Sequence, residues 1–186
     1  MAVLALGSLA GTLTSCSSDA PSRSTQAPPT EQAAGPIATG DAPLRVELVA
    51  EAVTAVEAER GQAQDYFEVN ATPTIVNLFV ATDDATQAVA YVYVAGMLGD
   101  PATPQPASGP TFQAAEIDFD ESLVLAEVHA QLSSSDFRLF SITGRETGGV
   151  QYRTVINSAG GTEFVVFLSG TGAILGTDQD LGIGDS

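Results

Sequence analysis

From residue 41 onward the apolar positions follow two periods. Val46, Val49, Val53 and Val56 recur at three- and four-residue spacing, which predicts a helix over 43–60. Asp41-Ala42-Pro43 reads as its start, with Asp41 as the cap and Pro in the first turn. Gly61 is its stop, and Glu47, Glu51, Glu57 and Arg60 lie on the polar side. Period-two runs then predict strands at Asp65 to Asn70, with Phe67 and Val69 on one side, at Thr74 to Thr82 and at Gln87 to Met97. Phe112 to Phe119 reads as a short edge strand. A second helix opens at Asp120-Glu121-Ser122 and buries Leu125, Val128 and Leu132. Strands follow at Phe137 to Thr143, Val150 to Asn157 and Thr162 to Leu168, with a hairpin turn at Ser158-Ala159-Gly160-Gly161. Ala173-Ile174-Leu175 closes the sheet.

The two halves match in order, each reading helix, strand, strand, strand. Ala63-Gln64-Asp65-Tyr66-Phe67 aligns with Ser134-Ser135-Asp136-Phe137-Arg138, and Val89 to Val94 with Thr162 to Phe167. Met97-Leu98-Gly99 aligns with Ile174-Leu175-Gly176. The fold class expected is α+β: two αβββ units, 41–110 and 111–186, forming one antiparallel sheet with both helices on one face. The run Gly99 to Pro110, rich in Pro, links them.

The N-terminal pattern is different. Ala2 to Leu13 is an apolar run of signal-peptide length, too short for a spanning helix of about 20 residues. Leu13-Thr14-Ser15-Cys16 has the form of a lipoprotein processing site: a large apolar residue, two small ones, then the thiol that takes the lipid. Residues 1–15 are therefore expected to be a lipoprotein signal, with Cys16 the lipidated N-terminus and the membrane a partner through that lipid. The Lys or Arg that opens most signals does not occur in Met1-Ala2-Val3-Leu4. Residues 16–40 contain four prolines and one large apolar residue, Ile37. Such a stretch is expected to be a disordered tether, with a reach of about 50 Å.

Composition narrows the partners. The chain has 186 residues and a net charge of −17, from 23 acids against six arginines and no lysine. Phosphate backbones need a basic footprint, so nucleic acid is excluded as a partner. Anionic headgroups are excluded on the same ground. About 145 residues remain beyond signal and tether, a length typical of one domain. Cys16 is the sole cysteine, so there is no disulfide.

Candidate chemistry is sparse. His129 is the only histidine and reads as a helix-flank residue. A catalytic triad needs a nucleophile and an orienting acid besides a histidine, and no G-x-S-x-G or similar frame occurs; zinc needs about three protein ligands. Glu116, Asp118, Asp120 and Glu121 form the densest acidic cluster, which suits a helix N-terminus; Asp178 and Asp180 read likewise as tail acids. Asn70-Ala71-Thr72 matches a glycosylation acceptor but is followed by Pro73. No catalytic, metal or cofactor site is expected, and the chain is read as a non-enzyme. Phe79, Tyr91, Phe140 and Tyr152 are candidates for an aromatic binding platform on the sheet face opposite the helices.

The run Val166-Phe167-Leu168-Ser169-Gly170-Thr171-Gly172-Ala173-Ile174-Leu175-Gly176 is similar to the ending of PepSY-type repeats, and its glycines are expected to supply positive φ in the turn. The span from about 43 to 177, with Tyr91-Val92-Tyr93 and the stretch from Phe112 to Phe119, resembles uncharacterised actinobacterial lipoproteins. The resemblance implies αβββ repeats, an extracytoplasmic location on the cell membrane, and an inhibitory or binding role in the envelope. It brings no catalytic residue. The function expected is a lipid-anchored envelope protein whose sheet face or edge binds a protein or peptide. The alternative is a carrier or sensor of a small apolar or glycolipid ligand held between helices and sheet.

Overall fold

The computed structural model describes residues 42–179. The signal, Cys16, the tether, the expected cap Asp41 and Asp180 lie outside the described residues. The fold is α+β, built on one antiparallel sheet of ten strands with few helices.

The first helical stretch runs over 46–60, as a 3₁₀ turn at Val46–Leu48 continuing into α1, Val49–Arg60. It starts later than its periodicity suggests. Leu44 is buried and the Arg45 backbone N–H donates to the Thr72 carbonyl at 3.0 Å, so residues 42–45 are held against the sheet instead of in the helix. Val46, Val49, Ala52, Val53 and Val56 form the buried stripe, and Gly61 ends the helix in the left-handed region at φ 73°.

The strands are β1 (Asp65–Ala71), β2 (Val76–Thr82), β3 (Gln87–Val94), β4 (Met97–Leu98), β5 (Gln105–Pro106), β6 (Phe112–Gln113), β7 (Asp136–Gly144), β8 (Val150–Asn157), β9 (Glu163–Leu168) and β10 (Ile174–Thr177). Their spatial order is β10-β9-β8-β7-β1-β2-β3-β4, with β5 on the flank of β3 and β6 on β1. β1 and β7 are therefore the central pair. The strand expected to run unbroken over 87–97 is cut at Ala95-Gly96, both at positive φ, which turns Met97–Leu98 back onto β3.

The segment 112–119 pairs only at Phe112–Gln113, beside Asp65 and Tyr66 of β1. It then forms a 3₁₀ turn at Ala114–Glu116, closed by a capping box between Gln113 and Glu116. The second helix also begins late, as α2, Ala126–Gln131. The Asp120 carboxylate accepts the Ser122 N–H at 2.9 Å, and its carbonyl accepts the Leu123 and Val124 N–H groups, so residues 121–125 are spent in turns.

One core cluster fills the space between helices and sheet. It takes Val69, Leu78, Tyr91 and Tyr93 under α1, and Phe140, Ile142, Ile156 and Leu168 under the segment that carries Val124, Leu125 and Val128. The Tyr66 hydroxyl is buried here without a hydrogen-bond partner, and burial, with the Glu57 charge second, pushes its pKa well up. A bulge between Tyr66 and Glu68 breaks the alternation of β1, so Phe67 and Val69 do not share a face in the simple way the pattern implies.

The glycines of Ser169-Gly170-Thr171-Gly172 serve two purposes. Gly172 has φ +87° and lies against the Leu123 carbonyl. Gly170 does not need a positive φ; a Cβ there would stand 2.3 Å from the Asp118 carbonyl oxygen, so its role is close approach.

Candidate functional site

Cross-strand register divides the sheet into two faces. Tyr66, Val69, Leu78, Tyr91, Ile142 and Leu168 belong to the buried face. The opposite face has no described helix on it, and it carries the candidate site.

Its centre is one row of neighbouring residues that crosses six strands: Val92, Asn77, Asn70, Ser141, Arg153 and Phe167. Glu68 lies beside the row on β1, opposite Phe79 and Thr143. The polar members bond along the row. Asn77 Nδ2 donates to Asn70 Oδ1 at 2.9 Å, and Asn70 Nδ2 donates to Glu68 Oε1 at 3.4 Å. Ser141 Oγ donates to the same carboxylate oxygen at 2.6 Å, and Arg153 Nε donates to Ser141 Oγ at 3.4 Å. Arg153 Nη2 stands 3.6 Å from Glu68 Oε1. Asn77 Oδ1 is left buried without a partner. A buried acceptor in that state costs about 1–3 kcal/mol.

The face is also electrically quiet. Across the row and the neighbouring positions of β1, β2, β3, β7 and β8, its charges are Glu68 and Arg153, which pair with each other. Asp136 and Glu163 sit at one end of it, on either side of Asn157, and exposed Asp65, next to buried Tyr66 on β1, at the other. Among the described residues, most of the acids lie on the helices and turns. Interface centres are depleted in charge in the same way.

Both edges of the sheet are blunted. The outer side of β3 is strapped by residues 99–107. Gly99 N–H donates to Val92 O, Ala102 N–H to Ala90 O and Ala107 N–H to Thr86 O, while Gln105–Pro106 pairs with Gln87 and Ala88. On the other side, β10 is four residues long and bulged between Ile174 and Gly176. Beyond it Asp178 Oδ1 accepts the Val165 N–H at 3.0 Å. Short, bulged, Pro-bearing edges resist pairing with another strand.

The four aromatic candidates do not form an exposed platform. Tyr91 (3% exposed), Phe140 (0%) and Tyr152 (6%) lie on the buried face. Phe140 and Tyr152 stack at 6.1 Å, with Phe119 against both, and the Arg60 Nη1 donates to the Tyr91 hydroxyl at 3.2 Å. Phe79 alone sits on the open face, half-buried, beside Glu68 and Ala90. The central polar row was not singled out by the pattern reading. A signal for it existed: Asn70, Asn77 and Ser141 are polar residues inside apolar strands.

The acidic cluster is absorbed by the backbone. A Glu116 carboxylate oxygen accepts the Gln113 N–H at 2.8 Å, and Asp120 holds the turn described above. That bonding to Ser122 keeps the Asp120 carboxyl below its usual range. The Tyr152 hydroxyl accepts the Asp118 N–H and donates to the Asp118 carbonyl. Asp118, Phe119 and Asp120 form one wall of an open depression whose other wall is Ser169-Gly170-Thr171. Glu121 is exposed. Among the described residues, no group of three or more His, Cys, Asp or Glu is placed to hold a metal ion.

His129 stacks on Phe137 with ring centres 3.8 Å apart, and burial holds its pKa below 6.5. A depressed imidazole pKa means that the unfolded chain binds the proton more readily. Its stabilising contribution is therefore full above pH 6.5 and is lost as pH falls through the lower folded value. His129→Gln should flatten the fall in urea midpoint just below pH 6.5; an unchanged pH profile would refute this role.

A scan of protein-family models, a search of curated proteins and a search of solved structures each found no match to this chain.

Proposed function

We propose that this chain is a lipid-anchored, non-catalytic protein of the bacterial cell envelope that binds another protein through the open face of its sheet. The observation that carries the reading is the face away from the helices: no described helix lies on it, and the charges at its centre, Glu68 and Arg153, pair with each other, on a chain whose net charge is −17. The blunted edges favour the face over the edge as the docking surface. The continuous core beneath the helices favours docking over carriage of an apolar ligand, which needs a roomy cavity. Leu13-Thr14-Ser15-Cys16 supports the anchor and the extracytoplasmic address.

The same reading takes the sheet as two αβββ units. The strand order mirrors about the β1–β7 pair, and bulges fall at the second to fourth residues of both β1 and β7. The likeness to PepSY repeats belongs to this proposal.

The full chain, recovered from membranes after mild cross-linking, should bring down a protein partner that the variant Phe79→Asp loses. Capture that Phe79→Asp leaves intact would move the docking surface elsewhere. Cys16→Ser should release the chain from the membrane, and retention would remove the anchor.

A further inference from the structure

We infer that the tip of the β3–β4 hairpin, Val94-Ala95-Gly96-Met97, dips into the surface of a lipid bilayer and sets the domain end-on to the membrane. This inference rests on the reading of Cys16 as a lipid anchor and adds a second contact with the same membrane. Val94 and Met97 are partners in the register of the two strands, so their side chains share one face of the hairpin. Val94 is 40% exposed and Met97 67%, and Ala95 and Gly96 between them are exposed as well. Leu98, one residue further, turns to the other face and packs against the core, which gives the tip a fixed base.

The two turns that bound β3 differ in chemistry. Ala95 has φ 51° and Gly96 φ 83°. Asn, Asp and Gly are the usual residues where a turn demands the left-handed region. The turn before β3 keeps that rule with exposed Asp83 and Asp84, at φ 51° and 53°. At the tip, Ala95 takes the same conformation and leaves the turn without a polar side chain. On a chain of net charge −17, no charged residue occurs from Ala71 to Thr82 or from Ala85 to Gly99. The Glu51 carboxylate, which takes the hydrogen bond of the Tyr93 hydroxyl, lies on the helix face, away from Val94 and Met97.

The described chain begins at the same end of the sheet. Leu44 is buried, and the Arg45 N–H is bonded to Thr72, in the turn between β1 and β2. Ala71 pairs with Val76 and Val76 with Tyr93, so that turn and the Ala95-Gly96 turn share one end, with Asp83-Asp84 at the other. A lipid on Cys16 would hold the domain at high effective concentration over the bilayer, where a small apolar contact suffices. The apolar end can meet the surface without the connecting segment running back along strands of about 25 Å. The contact is with acyl carbon, as in other interfacial apolar elements, and needs no basic residue.

The sequence holds no tryptophan, so one introduced at the tip reports on the tip alone. Met97→Trp, in the full lipidated chain on phosphatidylcholine vesicles, should emit further to the blue than the same chain in buffer. Bromine-labelled acyl chains should quench about half of that emission. Glu146→Trp, in the β7–β8 turn at the opposite end, should keep the emission of an exposed indole. Adding Val94→Asp to Met97→Trp should abolish the quenching while the chain still floats with the vesicles. Val94 and Met97 are exposed, so neither change threatens the fold. An unquenched Met97→Trp on floating vesicles overturns this inference and leaves the anchor standing. Equal quenching of Glu146→Trp overturns it too, as does quenching that survives Val94→Asp, since the indole itself would then be what enters the bilayer. A chain that does not float removes the anchor, and this inference with it.

Discussion

Phe140→Ala should destabilise the fold by about 4 kcal/mol, read as a fall in urea midpoint at constant m. The ring is fully buried, 5.4 Å from Phe119 and 6.1 Å from Tyr152, and truncating it opens a cavity beneath the segment that leads into α2. Phe79→Ala is the contrast. Its ring is half-buried on the open face, and its loss should cost only about 1 kcal/mol. The pair of variants tests which face is which. If Phe79→Ala proved the more damaging, the assignment of the buried face would be reversed, and the docking proposal would fall with it.

Gly172→Ala is the second large effect, at about 3 kcal/mol. The residue sits at φ +87°, where an L side chain costs about 1–2 kcal/mol. Its Cβ would also stand 2.2 Å from the Leu123 carbonyl oxygen, so the 118–124 segment must move. Gly161→Ala isolates the two causes. It has φ +81° with open space around it, so it carries the conformational cost without the clash. Equal losses at the two sites would mean that the close approach contributes nothing.

Local chemistry made much of the fold legible. β8 follows the boundaries its alternation predicts, Val150 to Asn157, because each alternate residue from Tyr152 to Ile156 is buried and the flanking positions are half-exposed. Gly61 stops α1 as a left-handed C-terminal residue should. The face assignment was not legible. In β3 both alternating sets, Val89-Tyr91-Tyr93 and Ala90-Val92, are apolar, so period alone does not say which set meets the helices. The bulges in β1 and β7 each insert one residue, which swaps faces for everything beyond it, and no residue type announces them. The late start of α2 has a local cause, the Asp120–Ser122 turn, competing with helix formation as Asp and Ser side chains do. The central row lies further out of reach. Glu68 and Ser141 are 73 residues apart in the chain, and only the β1–β7 pairing brings them together.

That pairing has a consequence for synthesis. A chain that emerges N-terminus first completes β1, β2 and β3 well before β7 exists. Through that interval the flank of β1 from Glu68 to Ala71 has no strand to bond to, and an open flank is where wrong pairing between nascent chains begins. Phe112–Gln113 reaches β1 first and shields Asp65 and Tyr66 only. The exposed stretch holds Glu68 and Asn70, a charge and an amide amid Val69 and Ala71, which are poor material for a sticky template. The residues that later organise the open face thus stand guard over the same strand while its partner is still being made.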